Sequence, residues 1–147
     1  MRVNRITASV FLYSTEDESK VLNALLSLLD DQKGTSITRY DATGHYGDSI
    51  VTFKVELEGK VASEVTQRLL SRLDKGDLIF LLSTIQSRSE GNRIYLRIDK
   101  QALISQGRVL LKDGDDVIKI VISLKDNIKQ FMEELKQLAS GNMYTRS

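Results

Sequence analysis

The chain has 147 residues, enough for one domain with a substantial core. Its 21 Lys and Arg against 20 Asp and Glu give a formal charge of +1, which excludes a polybasic nucleic-acid tail and an acidic solvating protein. Zero cysteines and a single histidine exclude disulfides, thiolate metal sites, thiol catalysis and multi-histidine centres within the chain.

Residues 5–13 are rich in strand-favouring side chains and read as the first strand. Thr15 and Glu18 fit a capping box, and Val21, Leu22, Leu25, Leu26, Leu28 and Leu29 supply the apolar face of a helix that Gly34 stops. Residues 35–42 form a weaker strand, followed by a loop over 43–48 with two glycines. From Ile50 to Glu58 apolar and polar residues alternate, with Val51, Phe53, Val55 and Leu57 on the buried side.

Val61, Val65, Leu69 and Leu73 mark the next helix, and residues 78–85 a short one that is apolar on most sides. Residues 93–99 alternate again, so Ile94, Leu96 and Ile98 face the core while Arg93, Tyr95 and Arg97 face outward. Residues 100–106 suit a helical turn ended by Gly107. Residues 108–112 and 117–124 read as two strands joined by a hairpin-type turn at 113–116. Ile128, Phe131, Met132, Leu135 and Leu138 mark a last amphipathic helix.

This order predicts an α+β fold, a mainly antiparallel sheet with helices packed on one face. Residues 1–140 are expected to form a single domain, with 141–147 a frayed tail. No apolar run approaches the roughly 20 residues that span a bilayer, and the start lacks a signal-peptide pattern. The expected location is the cytoplasm, without membrane contact.

The chain carries no phosphate loop, dinucleotide fingerprint, nucleophile elbow or EF-hand, so no cofactor is expected. Asp113, Gly114, Asp115 and Asp116 offer oxygen ligands for a hard cation, but Asp and Gly are also what a solvated turn requires, and the turn is preferred. His45 is the one side chain of a type that ordinarily changes charge near neutrality, yet a general base also needs a nucleophile and an orienting carboxylate, and no companion motif supplies them.

The net charge conceals an uneven distribution. Residues 16–33 hold five acidic groups against Lys20 and Lys33, whereas residues 88–112 hold six basic groups against Glu90 and Asp99. Two arginines flanking Tyr95 on one strand face can meet phosphates and stack on a base, although spacing alone favours an ordinary solvated sheet face.

Three stretches carry a resemblance: the first strand with residues 14–21, the loop Thr43-Gly44-His45-Tyr46-Gly47-Asp48-Ser49-Ile50, and Tyr95-Leu96-Arg97-Ile98-Asp99-Lys100-Gln101-Ala102-Leu103. Their order and spacing resemble an archaeal family of RNA-binding proteins and predicted exosome subunits, across most of the chain. Asp48-Ser49 stands where members of that family carry Asn-Pro. The resemblance implies a fold like that of the ribosomal protein that binds 5S RNA, and a non-catalytic role in RNA binding beside RNA-processing proteins or the exosome.

On that reading Arg93, Arg97, Lys100, Arg108 and Arg39 neutralise phosphates. Gly44 and Gly47 let the loop approach RNA closely, with His45 and Tyr46 stacking or donating. Gln101 either reads a base edge or 2′-OH or caps the turn after its strand. Two other readings stand beside this one: a protein–protein adaptor using the apolar 78–85 helix or an edge strand, and a His45-dependent phosphoester enzyme.

Overall fold

The computed structural model describes residues 1–29, 37–43 and 49–141. The predicted Gly34 helix stop, residues 44–48 of the expected 43–48 loop and residues 142–147 of the expected 141–147 tail lie outside these residues, while Thr43 ends a strand and Gly141 a helix. In chain order the elements are β1 (Val3–Leu12), α1 (Glu18–Leu28), β2 (Ile37–Thr43), β3 (Ser49–Glu58), α2 (Gly59–Ser71), α3 (Lys75–Thr84), β4 (Ser89–Glu90), β5 (Arg93–Asp99), α4 (Lys100–Gln106), β6 (Val117–Leu124) and α5 (Ile128–Gly141). A single 3₁₀ turn over Ile85–Arg88 links α3 to β4.

The strands form one sheet in the order β2-β3-β1-β6-β5-β4, every pairing antiparallel. The fold class is therefore the expected α+β. Alternation decides the two sides of the sheet. Ile6, Ala8, Val10 and Leu12 of β1, Val51, Phe53 and Val55 of β3, Ile94, Leu96 and Ile98 of β5, and Ile118, Ile120 and Ile122 of β6 are buried. They share one core with Leu25 and Leu28 of α1, Val65 and Leu69 of α2, Leu78 and Leu81 of α3, and Phe131 and Leu135 of α5. Each such Val, Leu, Ile or Phe side chain stabilises the fold by about 1.5–3 kcal/mol relative to exposure.

Helix ends follow local chemistry, with one departure from expectation. Asp17, not Thr15, caps α1, its carboxylate accepting from the backbone N–H groups of Ser19 and Lys20. Asp17 stands next to the first helical residue, where a short carboxylate reaches the free N–H groups. Asp99 caps α4 by accepting from Ala102 N–H, and Gly107 closes that helix at φ 66°, a left-handed turn that glycine adopts without strain.

The expected hairpin between residues 108–112 and β6 is absent. β6 instead lies between β1 and β5, while Leu111 bridges Ile98 on the outer edge of β5. That edge recruits the segment through Asp99 N–H to Leu110 O at 2.8 Å and Lys112 N–H to Arg97 O at 3.0 Å. Asp77 of α3 anchors it further by accepting from Leu111 N–H at 3.0 Å. A turn signal shows where the chain bends but not which strand the returning segment pairs with.

Candidate nucleic-acid interface

All the helices that cover the sheet contribute to one core on one side, and the alternate strand residues point to the other side. Strand register arranges those outward residues in rows. One row runs Lys54, Ser9, Lys119, Arg97 from β3 through β1 and β6 to β5. Its neighbour runs Glu56, Thr7, Val121, Tyr95, and the next Glu58, Arg5, Ser123, Arg93. On the far side of the basic row, Phe11 sits opposite Thr52, which pairs with Tyr40.

Adjacent strands are about 4.8 Å apart, so the basic row extends about 14 Å across the sheet. Tyr40 is 51% and Tyr95 38% exposed, which places aromatic rings on both flanks of that row. The ammonium of Lys119 lies 5.3 Å from the Phe11 ring centroid.

Ion pairing separates the cations on this face. Arg5 is held by Glu58 at 2.9 Å and Glu56 at 4.0 Å. Among the described residues, no carboxylate lies within ion-pairing distance of Lys54, Lys119, Arg93 or Arg97. Lys54 and Lys119 were absent from the sequence-derived set because their proximity to Arg97 arises from pairing between distant strands. The alternation of β3 did, however, place Lys54 on the wet side.

The structure brings together only part of the expected set. Arg93, Tyr95 and Arg97 share the outward face of β5, as their alternation requires. Arg39 pairs across β3 with the buried Phe53, so it points to the helical side. There its guanidinium lies 5.8 Å from the Phe53 ring centroid and pairs with Glu18 at 2.6 Å and Asp41 at 3.3 Å. The hydrogen bonds it donates to Glu18 and Asp41 raise its pKa above the ordinary arginine value. Arg108 follows the α4 cap, is exposed, and lines a separate cleft with Arg72 and Asp74 beside the α2–α3 connection. Gly44, His45, Tyr46 and Gly47 lie outside the described residues.

Lys100 requires a correction. The RNA-binding reading has it neutralise phosphate, which needs an exposed ammonium, but it is 0% exposed. Its ammonium donates to Phe11 O at 3.0 Å, Glu16 Oε1 at 2.8 Å and Asp116 Oδ1 at 2.7 Å, and lies 4.9 Å from the Tyr13 ring centroid. All three N–H donors are satisfied internally. Gln101 joins the same cluster, its amide donating to Asp116 Oδ2 at 3.0 Å and Glu16 Oε2 at 3.3 Å, while Asp99 performs the capping. Burial pushes the Asp116 carboxyl upward, but the hydrogen bonds from Lys100 and Gln101 more than offset this and hold it below the usual carboxylate range.

The outer side of β5 opens into a cleft of about 420 Å³ between the strand and the C-terminal end of α3. Tyr95 and Arg97 form one wall, Phe80, Thr84 and Arg88 another, and Asp113 stands at the rim. The Arg88 guanidinium lies 5.2 Å from the Phe80 ring centroid and donates to Thr84 Oγ1 at 2.7 Å. Its approach to Asp113 is looser, at 4.0 Å. The acidic turn at 113–116 thus contributes to a cleft rim and to the Lys100 cluster. No group of three or more potential metal-ligating side chains occurs among the described residues.

A family model described as RNA binding matches residues 5–124. An uncharacterized protein of Methanocaldococcus jannaschii, MJ0213, is 29% identical over 148 residues, covering 96% of this chain and 98% of that protein. The RNA-binding protein PAB1135 of Pyrococcus abyssi is 27% identical over 130 residues, covering 85% of this chain and 84% of that protein. The crystal structure of protein SSO0741 from Sulfolobus solfataricus superimposes with a TM-score of 0.85 at 33% identity, covering 95% and 99% of the two chains.

Proposed function

Because this chain belongs to that RNA-binding family, we propose that it binds RNA without chemistry, along the sheet face opposite the described helices. The observation that carries this reading is the in-register row of unpaired cations, Lys54, Lys119 and Arg97, with Tyr40, Phe11 and Tyr95 on its flanks and Arg93 two rows away, beyond Tyr95. Cations supply affinity for phosphate irrespective of sequence, and exposed rings supply stacking surfaces for unpaired bases. The near-neutral chain as a whole then makes salt-sensitive contact limited to this patch. RNA-processing proteins or the exosome are the partner class that accompanies this reading, with the 5S-RNA-binding ribosomal protein as its analogue for structured RNA.

Arg93→Glu combined with Arg97→Glu tests the assignment. Each phosphate contact to a single strand adds about 0.7 to the slope of log affinity against log salt, so loss of two lowers it by about 1.4. The variant is expected to keep the circular dichroism of the parent, since both side chains are exposed and unpaired. A folded variant with unchanged RNA affinity and slope would show that this face is not the RNA surface. Recovery of a stable protein partner from lysate, insensitive to nuclease and salt, would instead favour the adaptor reading through exposed Ile79 and Phe80 of α3.

A further inference from the structure

We infer that the cleft between β5 and α3 receives one unpaired nucleobase of a single-stranded RNA whose backbone lies on the basic row. This rests on the RNA-binding reading of the sheet face and narrows it to a ligand class, a single strand with a base turned out of its stack.

Three observations converge on the cleft. Its volume of about 420 Å³ lies within the range of small-ligand sites. Its walls present two aromatic rings that a folded chain has reason to hide, yet Phe80 remains 45% and Tyr95 38% exposed. Arg97 belongs both to this wall and to the row Lys54, Ser9, Lys119, Arg97, so a backbone tracking the row arrives at the cleft mouth.

The chemistry of the walls suits a base. Phe80 already carries the planar guanidinium of Arg88 5.2 Å from its centroid, and Thr84 fixes that guanidinium through a 2.7 Å hydrogen bond. A guanidinium fixed at the wall of the cleft is itself a stacking partner for a base. Asp113 at the rim offers a carboxylate acceptor for an exocyclic amine or ring N–H. Arg88 and Arg97 against Asp113 leave one surplus positive charge, which matches a phosphodiester at the mouth. Duplex RNA lacks a free base to insert, and its grooves are read by shape.

Phe80→Ala and Tyr95→Ala test this against a single-stranded ten-nucleotide RNA, the same RNA with one abasic position scanned along it, and a blunt duplex. Base–aromatic stacking removed by alanine is expected to cost about five- to a hundredfold in affinity for the single strand. Because neither ring is charged, the salt slope should stay at the parent value. One abasic position should reproduce the loss in the parent protein and add nothing further in Phe80→Ala.

Undiminished single-strand affinity in both alanine variants, with Arg93→Glu/Arg97→Glu still defective, would overturn the cleft assignment and leave the sheet-face reading intact. Normal binding in all these variants would overturn both. Equal losses on duplex and single strand would also reject an inserted base.

Discussion

Replacing Lys100 by methionine separates a structural lysine from an RNA-contacting one. The substitution keeps a long unbranched side chain but removes the cation that joins Phe11 O, Glu16 and Asp116. Removing one partner of a fully buried ion pair costs about 3–5 kcal/mol, mostly because the remaining charge is stranded. Here the stranded carboxylates differ: Glu16 is 17% exposed, whereas Asp116 is 42% exposed and regains water. Glu16 also keeps the Tyr13 N–H at 2.9 Å as a donor. These considerations place the loss at the lower end, about 3 kcal/mol.

For a domain of this size that is a fall of about 10 °C in melting temperature, read by thermal denaturation followed by circular dichroism. Adding Glu16→Gln should return part of the loss, since it removes the stranded charge. RNA affinity and salt slope, measured well below the transition, should match the parent. A fall smaller than about 3 °C, or a salt slope reduced by about 0.7, would refute the buried role.

Two further outcomes follow from the same geometry. Arg39→Gln should leave the melting temperature and the RNA salt slope essentially unchanged, because its exposed ion pairs lie on the helical side; a weakened RNA complex would contradict that placement. The Asp116 carboxyl is held below its ordinary value of 3.8 in the folded protein, so its contribution is fully present above that value and fades as pH falls through the lower folded one. Acid unfolding below about pH 4 should therefore be less steep for Asp116→Asn than for the parent. Identical acid limbs would show that the carboxyl is not held down by its neighbours.

Patterns with a local cause were readable from residues alone. The alternation through β3 and β5 assigned buried and outward sides correctly, because a pleated strand has period two whatever its partners. Gly107 announced the end of α4 for an equally local reason. What depended on pairing between distant segments was not readable. The basic row exists only because β6 inserts between β1 and β5, bringing Lys119 beside Arg97.

Lys100 was misplaced for a related cause, since its acidic partners come from the β1–α1 connection and the turn just before β6. One local sign did point to it. A cation in the first turn of a helix opposes the helix dipole, so a lysine directly after the Asp99 cap calls for compensating carboxylates nearby.

The central position of β1 also governs how the sheet is assembled. The first strand joins β3 on one side and β6 on the other, so Ser9 is the residue through which Lys54 and Lys119 become neighbours. β5 and β4 attach to the β2-β3-β1 half only through β6. Such long-range pairing raises contact order and slows folding, because the chain must close a large loop before gaining the contacts. A chain cut just before β6 loses the strand that connects the two halves. The continuous basic row is therefore complete only when the sixth strand has docked.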